Sequence, residues 1–471
     1  MEQRSMDDLI DMAGGLGKFQ MQNLAICSTT FAFSGIITMQ TTLVGAAVQK
    51  EFQVTKVEAD LISTYYFAGF FVGLYLFGWV GDQFGRRPHL LWATILVAVA
   101  GNAVFLAPSY MVLCALRAIA GAGVAGITNC AVTLTLEWVP GENRAVMKTA
   151  LALIYGLGSF LLMLAAFVEM DKAHWDWRAL VSTSIWGLGM PLVIHFYCPE
   201  SARYLAVNGR MDEAMALVRA AADKNGATIP ENVTLEPPGN AKQTSSLGQL
   251  AKPSTLCTLV MVSFLFFTAQ LGYYAIAFAK QTKEEEDLYK SNIYGTLLDF
   301  PAYILMTPLA NRFGRKTFFS GSLLILSVCL FAVSFFIQGS DGDLLDPDNF
   351  RPSVKTVGAL MGRAVASGCS AFIYVIAAEQ FPTSCRSAAM GIANSFGGFG
   401  KMLEPVMLNL PKKFKPLGII AVLVLIGAVT SMGLKETNGV KLADVAPDPT
   451  AKVAEKSEKD LDEPFLKREG A

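Results

Sequence analysis

Twelve stretches of predominantly apolar residues constrain this chain more than any other feature. They lie near 22–48, 58–80, 90–108, 110–136, 147–168 and 179–198. After a polar gap come 254–279, 289–310, 317–337, 356–378, 387–410 and 415–434. A helix needs about 20 apolar residues to cross a bilayer. Open strands cannot satisfy their backbone groups in lipid, so the stretches read as helices. Charge agrees with this. Charged residues are 16% of the chain, against roughly 25% in soluble proteins. Residues 1–21, 199–253 and 435–471 hold 34 of the 77 charges. With a net charge of −1, this distribution excludes a basic nucleic-acid binder, a disordered chain and an ordinary soluble enzyme.

The expectation is an all-α membrane protein of twelve transmembrane helices in two six-helix bundles. It divides into an N-terminal segment 1–21, a bundle 22–198, a central loop 199–253, a second bundle 254–434 and a tail 435–471. The first segment carries Asp7, Asp8 and Asp11 rather than a basic start, so the first span reads as a retained helix and not a signal peptide. An even number of spans puts both termini on one side. The bias of Lys and Arg toward that side marks it as cytoplasmic, although Lys412, Lys413 and Lys415 fall on the other. Within the central loop, Met211–Asp223 reads as a helix, followed by a flexible stretch to Pro253. The mixed charged tail reads as disordered. The eight Cys show no metal spacing and read as small apolar side chains. The glycosylation signal Asn232-Val233-Thr234 falls on the cytoplasmic side and is expected to be unused.

The two bundles repeat each other. Asp82-Gln-Phe-Gly85-Arg86-Arg87, between the second and third spans, is matched by Asn311-Arg312-Phe-Gly314-Arg315-Lys316 between the eighth and ninth. Glu137-Trp-Val-Pro140 through Arg144 is matched by Glu379-Gln-Phe-Pro382 through Arg386, each joining the fourth and fifth spans of its half. Parallel six-span repeats with a site between them are a transporter architecture. Gly85 permits a tight turn. Arg86 and Arg87 suit helix C-terminal carbonyls or carboxylates, and Asp82 suits a helix N-terminus or a neighbouring Arg. Ion pairs of this kind hold one state of a rocking carrier and break in the other. The bland reading is a positive-inside signal.

Ionisable residues inside spans are costly and point to function. Five stand out: Arg117, Asp299, Arg363, Lys401 and Glu404. Arg117 precedes Gly121, Gly123 and Gly126, whose spacing lets another helix approach closely. Asp299 precedes Pro301, which frees a backbone carbonyl. A carboxylate there attracts a cation or takes up a proton; the alternative is a hydrogen bond to a neighbouring helix. Lys401 and Glu404 are three residues apart and can pair on one helix face. A free Lys401 would suit an anion or zwitterion. Tyr273, Tyr274 and Phe278 could offer ring faces to a cation, and Tyr155 and Tyr374 hydroxyl contacts.

Gly78-Trp-Val-Gly-Asp82-Gln-Phe-Gly85-Arg86-Arg87-Pro88 resembles the signature loop of the major facilitator superfamily. The segments Leu136–Arg144, Tyr155-Gly-Leu-Gly-Ser-Phe-Leu-Leu, His174-Trp-Asp-Trp-Arg178, Pro199-Glu200-Ser201-Ala202-Arg203 and Ala371–Arg386 resemble the organic cation/anion/carnitine transporters, solute carrier family 22. The resemblance spans about Gly17 to Thr437. It implies a carrier of small organic ions working by alternating access, with no enzymatic activity, cofactor, metal or nucleic-acid partner. The lipid bilayer is its medium, and proton or counter-substrate coupling stays open. It also implies a cavity-facing role for Asp299, and gating roles for Asp82, Gly85, Arg86, Arg87, Arg117, Glu137, Arg144, Arg312, Gly314, Arg315, Arg363, Glu379 and Arg386. The departures are a short connection near Lys50–Glu58, Gln83 and Asn311 in the signature loops, Tyr303 where anion carriers carry Lys, and Gly398 where they carry Arg. These marks favour an organic cation or zwitterion. The alternatives are an organic anion carrier, a sugar porter, or a carrier-fold protein that does not transport. The expected location is the plasma membrane, with a vesicle or other organelle membrane as the alternative.

Overall fold

The computed structural model describes residues 2–140, 143–170, 177–236, 250–278, 285–338, 350–381, 385–411 and 414–437. Among them, twelve helices form the body. In the first half these are α1 (Lys18–Leu43), α2 (Lys56–Phe84), α3 (Arg86–Ala103), α4 (Tyr110–Glu137), α5 (Arg144–Met170) and α6 (Trp177–Tyr197). In the second they are α7 (Pro253–Phe278), α8 (Glu285–Phe313), α9 (Arg315–Gln338), α10 (Phe350–Gln380), α11 (Arg386–Leu408) and α12 (Pro416–Ser431). Nine of the described helices are long and apolar enough to cross a membrane, and α8 and α12 carry the shorter apolar helices Ile293–Met306 and Pro416–Ser431. The protein is an integral, multi-pass membrane protein.

Local chemistry sets the helix starts. Thr55 and Glu58 cap α2 reciprocally: the Glu58 N–H donates to Oγ1 of Thr55 at 3.3 Å, and the Thr55 N–H donates to Glu58 Oε2 at 2.7 Å. Gly85 at φ +102° and Gly314 at φ +86° make the breaks between α2 and α3 and between α8 and α9.

Close helix packing follows the small residues. Side chains added at Gly69 and Gly73 would strike the backbone of Ala118 and Ala122, and one at Gly121 would strike the Tyr66 carbonyl, so α2 and α4 are in backbone contact. Gly123 and Gly126 take the other side of α4 against Val97 and Ala93 of α3. In the second half α7 packs on α11 and α12, α9 on α10 and α12, and α8 on α10. The halves meet through α2 against α11 and α5 against α8. We call the face carrying the repeated loops the motif face, and the opposite one the far face.

The sixth span is not the continuous helix its hydropathy suggests. It begins at Trp177 and is divided into Trp177–Ser182, Ile185–Gly189 and Met190–Tyr197. Thr183 and Ser184 turn their hydroxyls back onto the carbonyls of Leu180 and Val181, both at 2.7 Å. The Gln40 side chain of α1 donates to the same two carbonyls, at 2.9 and 3.3 Å, which satisfies groups the break leaves open.

The polar segments 2–21 and 199–236 fold together on the motif face. Strand β1 (Glu2–Arg4) pairs in parallel with β2 (Val233–Leu235), inside the stretch expected to be flexible. A short helix, Met6–Met12, buries Leu9 and Ile10, and the helix Met211–Asn225 ends at Gly226 in the left-handed region. Asn225 ties the layers: its side chain donates to the Ala13 carbonyl (2.7 Å) and Gln20 (2.9 Å), and accepts from the Phe19 N–H (2.8 Å).

Candidate functional site

Two groups of residues have the makings of function: the repeated loops on the motif face, and the charged and aromatic side chains between the halves. In the first loop the carboxylate of Glu200 accepts from three backbone N–H groups, those of Arg86 (2.8 Å), Arg87 (3.2 Å) and Ser201 (2.8 Å). It therefore caps the N-terminus of α3, one of the two roles sequence reasoning offered Asp82. Asp82 takes the other, pairing at 3.2 Å with Arg86 at the start of α3, with its side chain 70% exposed. Arg86 also lies 3.7 Å from Glu137 at the end of α4, and Arg87 donates to the His195 carbonyl near the end of α6. Arg144 at the start of α5 pairs with Asp7 at 2.6 Å, and Arg203 pairs with the same carboxylate.

The second loop repeats this plan with residues that sequence reasoning missed. Glu436, just past α12, accepts from the N–H groups of Arg315 (2.9 Å), Lys316 (3.2 Å) and Thr437 (3.1 Å). It is the counterpart of Glu200, and Thr437 is the counterpart of Ser201. The signal was present as Glu200-Ser201 and Glu436-Thr437, each just past the last span of its half. Arg315 pairs directly with Glu379 at the end of α10, and the Thr437 hydroxyl donates to Glu379 at 2.6 Å. Gly314 leaves room for Glu436, as Gly85 does for Glu200. Arg312 is not brought into this cluster: it lies over the neighbouring Phe313 ring, on the exposed side of α8. The side chains of Phe278 and Arg386 lie outside the described residues, as do Pro382, Thr383, Lys412, Lys413 and the tail from 438.

Deeper in the bundle, Asp299 of α8 is committed to α10. It accepts from the Ser367 hydroxyl and lies 3.7 Å from Arg363, whose guanidinium also donates to Thr296 at 2.9 Å. Tyr155, Tyr273 and Tyr303 are within electrostatic range of this carboxylate. Tyr273 and Tyr274 stand edge to face at 5.0 Å, Tyr274 meets Phe67 of α2 at 4.9 Å, and Tyr374 donates to Asn394 at 2.8 Å. The aromatic residues thus converge from both halves.

The cations are placed differently. Arg117 is fully buried, and none of its guanidinium nitrogens has a hydrogen-bond partner among the described residues. Lys401 is buried and makes no ion pair with Glu404. Its ammonium sits over the rings of Phe70 (4.5 Å) and Tyr274 (5.6 Å), so of the two readings the sequence left open the helix-face pair does not form. Glu404 is 2% exposed and makes no hydrogen bond or ion pair among the described residues. Lys148 of α5, not singled out from the sequence, lies over the Tyr374 ring of the other half at 5.0 Å. A Lys one turn into a helix reads as a snorkelling side chain, which hid it.

Comparison with known proteins agrees with this architecture. The family described as "Sugar (and other) transporter" matches residues 21–448. The chain is 28% identical to human solute carrier family 22 member 11, covering 82% of this chain and 70% of that one. It is 27% identical to human organic anion transporter 3 (83% and 71% covered). To organic cation/carnitine transporter 7 of Arabidopsis thaliana it is 24% identical (84% and 86% covered). The E. coli xylose transporter XylE, in a partially occluded inward-open conformation, matches with a TM-score of 0.67 at 15% identity over 90% of this chain and 100% of that one. That likeness is one of fold: two six-helix halves of the major facilitator type.

Proposed function

The chain belongs to the sugar (and other) transporter family, and on that premise we propose that it carries small organic anions across a membrane by alternating access of its two halves. One observation carries the sign of the charge. Among the described residues, the buried cations Arg117 and Lys401 have no carboxylate partner, whereas Asp299 already has Arg363. A buried cation is stable only with a counter-charge or an equivalent set of contacts. A substrate carboxylate or sulfonate would supply it, and the Phe70 and Tyr274 rings would hold Lys401 until it arrives. The sequence favoured a cation or zwitterion because Tyr303 and Gly398 stand where anion carriers carry Lys and Arg while Asp299 is kept; the engagement of Asp299 by Ser367 and Arg363, the alternative the sequence left open for it, is what favours an anion here. The solute carrier family 22 relatives support transport of organic ions, and one of them is named an organic anion transporter.

In this reading the motif face is cytoplasmic, the home membrane is the plasma membrane, and transport is coupled to protons or to a counter-substrate. The test is an uptake panel in proteoliposomes with p-toluenesulfonate, tetraethylammonium, carnitine and xylose. Saturable sulfonate uptake is expected. It should fall about tenfold in Lys401→Gln and be kept in Lys401→Arg, the loss of one charge-assisted contact. Tetraethylammonium uptake that disappears in Asp299→Asn, with no sulfonate uptake, would overturn it.

A further inference from the structure

The motif-face side of the gap between the halves holds a cation that the loops do not use. Lys148 lies on α5, one turn after Arg144, and its ammonium rests over the Tyr374 ring of α10 at 5.0 Å. Tyr374 is itself held from two sides. Phe266 of α7 meets its ring edge to face at 4.9 Å, and its hydroxyl donates to Asn394 Oδ1 of α11 at 2.8 Å. Lys148, Tyr374 and Asn394 are all half-buried, so water reaches the place where they converge.

The donors at this place are unspent. Among the described residues the Lys148 ammonium makes no hydrogen bond or ion pair, and the ring offers it only a π face. Tyr374 occupies the Asn394 carbonyl oxygen, which leaves both amide N–H groups without an acceptor among the described residues. The nearby carboxylates are committed elsewhere. Asp7 holds Arg144 and Arg203, Asp82 and Glu137 face Arg86, Glu379 holds Arg315, and Glu200 and Glu436 cap helices. Asp299 has Ser367 and Arg363. A positive charge and an amide with no acceptor between them fit an oxyanion, which accepts from both at once.

Depth separates this set from Lys401. Both α5 and α11 start at the motif face. Lys148 follows the start of its helix by four residues and Lys401 by fifteen, about 6 and 22 Å along the axes. We propose that Lys148 and Asn394, backed by the Tyr374 ring, form a second anion subsite on the motif-face side of the transport path. A carboxylate or sulfonate entering from that face meets Lys148 before Lys401, and one leaving meets it last. The ring is the resting place of the ammonium, which turns to the oxyanion when one arrives. Such a subsite presupposes an anionic cargo, and so rests on that reading of the function.

Chemical labelling reads Lys148 directly. The full chain in lipid nanodiscs is treated briefly with sulfosuccinimidyl acetate, and acetylation of Lys148 is followed by mass spectrometry with and without p-toluenesulfonate. The sulfonate should slow that acetylation about threefold or more. Tetraethylammonium should not, and Asn394→Ala should lose the protection. In proteoliposomes with the motif face outward, the KM for sulfonate should rise about tenfold in Lys148→Gln with little change in maximal rate, and return in Lys148→Arg. Acetylation that sulfonate leaves unchanged, equal protection by tetraethylammonium, or a Lys148→Gln variant that loses maximal rate alone, as a mere tie between the halves would, overturns the subsite. Sulfonate uptake that needs Lys401 while Lys148 stays unprotected overturns the subsite alone. Absence of sulfonate uptake overturns the anionic cargo, and the subsite with it.

Discussion

The two motif-face loops share one half of their construction and differ in the other. Glu200 and Glu436 each take three backbone N–H groups at a turn and helix start, and in each loop a glycine in the left-handed region makes room. The ion pairs differ. Arg86 is divided between Asp82 and a Glu137 carboxylate 3.7 Å away, with Arg86 Nε and Glu137 Oε2 buried and lacking hydrogen-bond partners. Arg315 meets Glu379 directly, and Thr437 completes that carboxylate. The first loop is also braced from outside, by Asp7 on Arg144 and Arg203. The shared part is what a helix start demands. The ion pairs are the adjustable part: the first half spreads its hold over several contacts, and the second concentrates it on Glu379.

The largest effects should come from the shared part. A side chain at Gly85 would lie 2.4 Å from a Glu200 oxygen, against 2.9 Å to Glu436 at Gly314, and both backbones are left-handed. Gly85→Ala should cost about 3 kcal/mol and Gly314→Ala about 2 kcal/mol, read as melting temperatures of the purified protein. Equal losses would mean that the two caps do not differ in tightness. Next comes the asymmetry of the ion pairs. Glu379→Gln should lower stability by about 2 kcal/mol, and Glu137→Gln by about 1 kcal/mol or less, because Arg86 keeps Asp82. A reversed order in the melting curves would show that the looser pair is the working one.

The brace should matter less. Asp7→Asn removes two half-exposed pairs and should cost about 1 kcal/mol, lowering the melting temperature in the same way when made on top of Glu379→Gln. The smallest effect lies on the far face of the first half. Burial raises the Glu51 carboxyl, but hydrogen bonds from Trp177 and Arg178 outweigh it and hold the group below its ordinary value. A depressed acid stabilises the fold above its unfolded pKa, and that stability is lost as pH falls through the folded value. The unsubstituted protein should therefore lose melting temperature more steeply than Glu51→Gln as pH falls below the ordinary carboxylate range.

The architecture was legible because lipid leaves hydropathy few interpretations, and because duplication wrote the loops twice. The glycines of α4 were legible for the same reason: close approach admits few residue types. What escaped depends on which helix neighbours which. Nothing local says that Asp299 faces Arg363 and Ser367, or that Lys401 turns to Phe70 of the other half instead of Glu404 on its own helix. The break in α6 hid inside an apolar run because Ser, Thr and Gly are tolerated in membrane helices. Glu436 and Thr437 carry no hydropathy signal, and their part appears only when set beside Glu200 and Ser201.

The pairing of β1 with β2 also bears on how the chain is made. Glu2–Arg4 precede α1, yet their partners, Val233–Leu235, follow the whole first half. Asp7 likewise waits for Arg144 and then Arg203. The segment ahead of α1 therefore completes its docking only once the central segment has been translated. Those partners lie in the first half and the central segment, so the docking asks nothing of the second half.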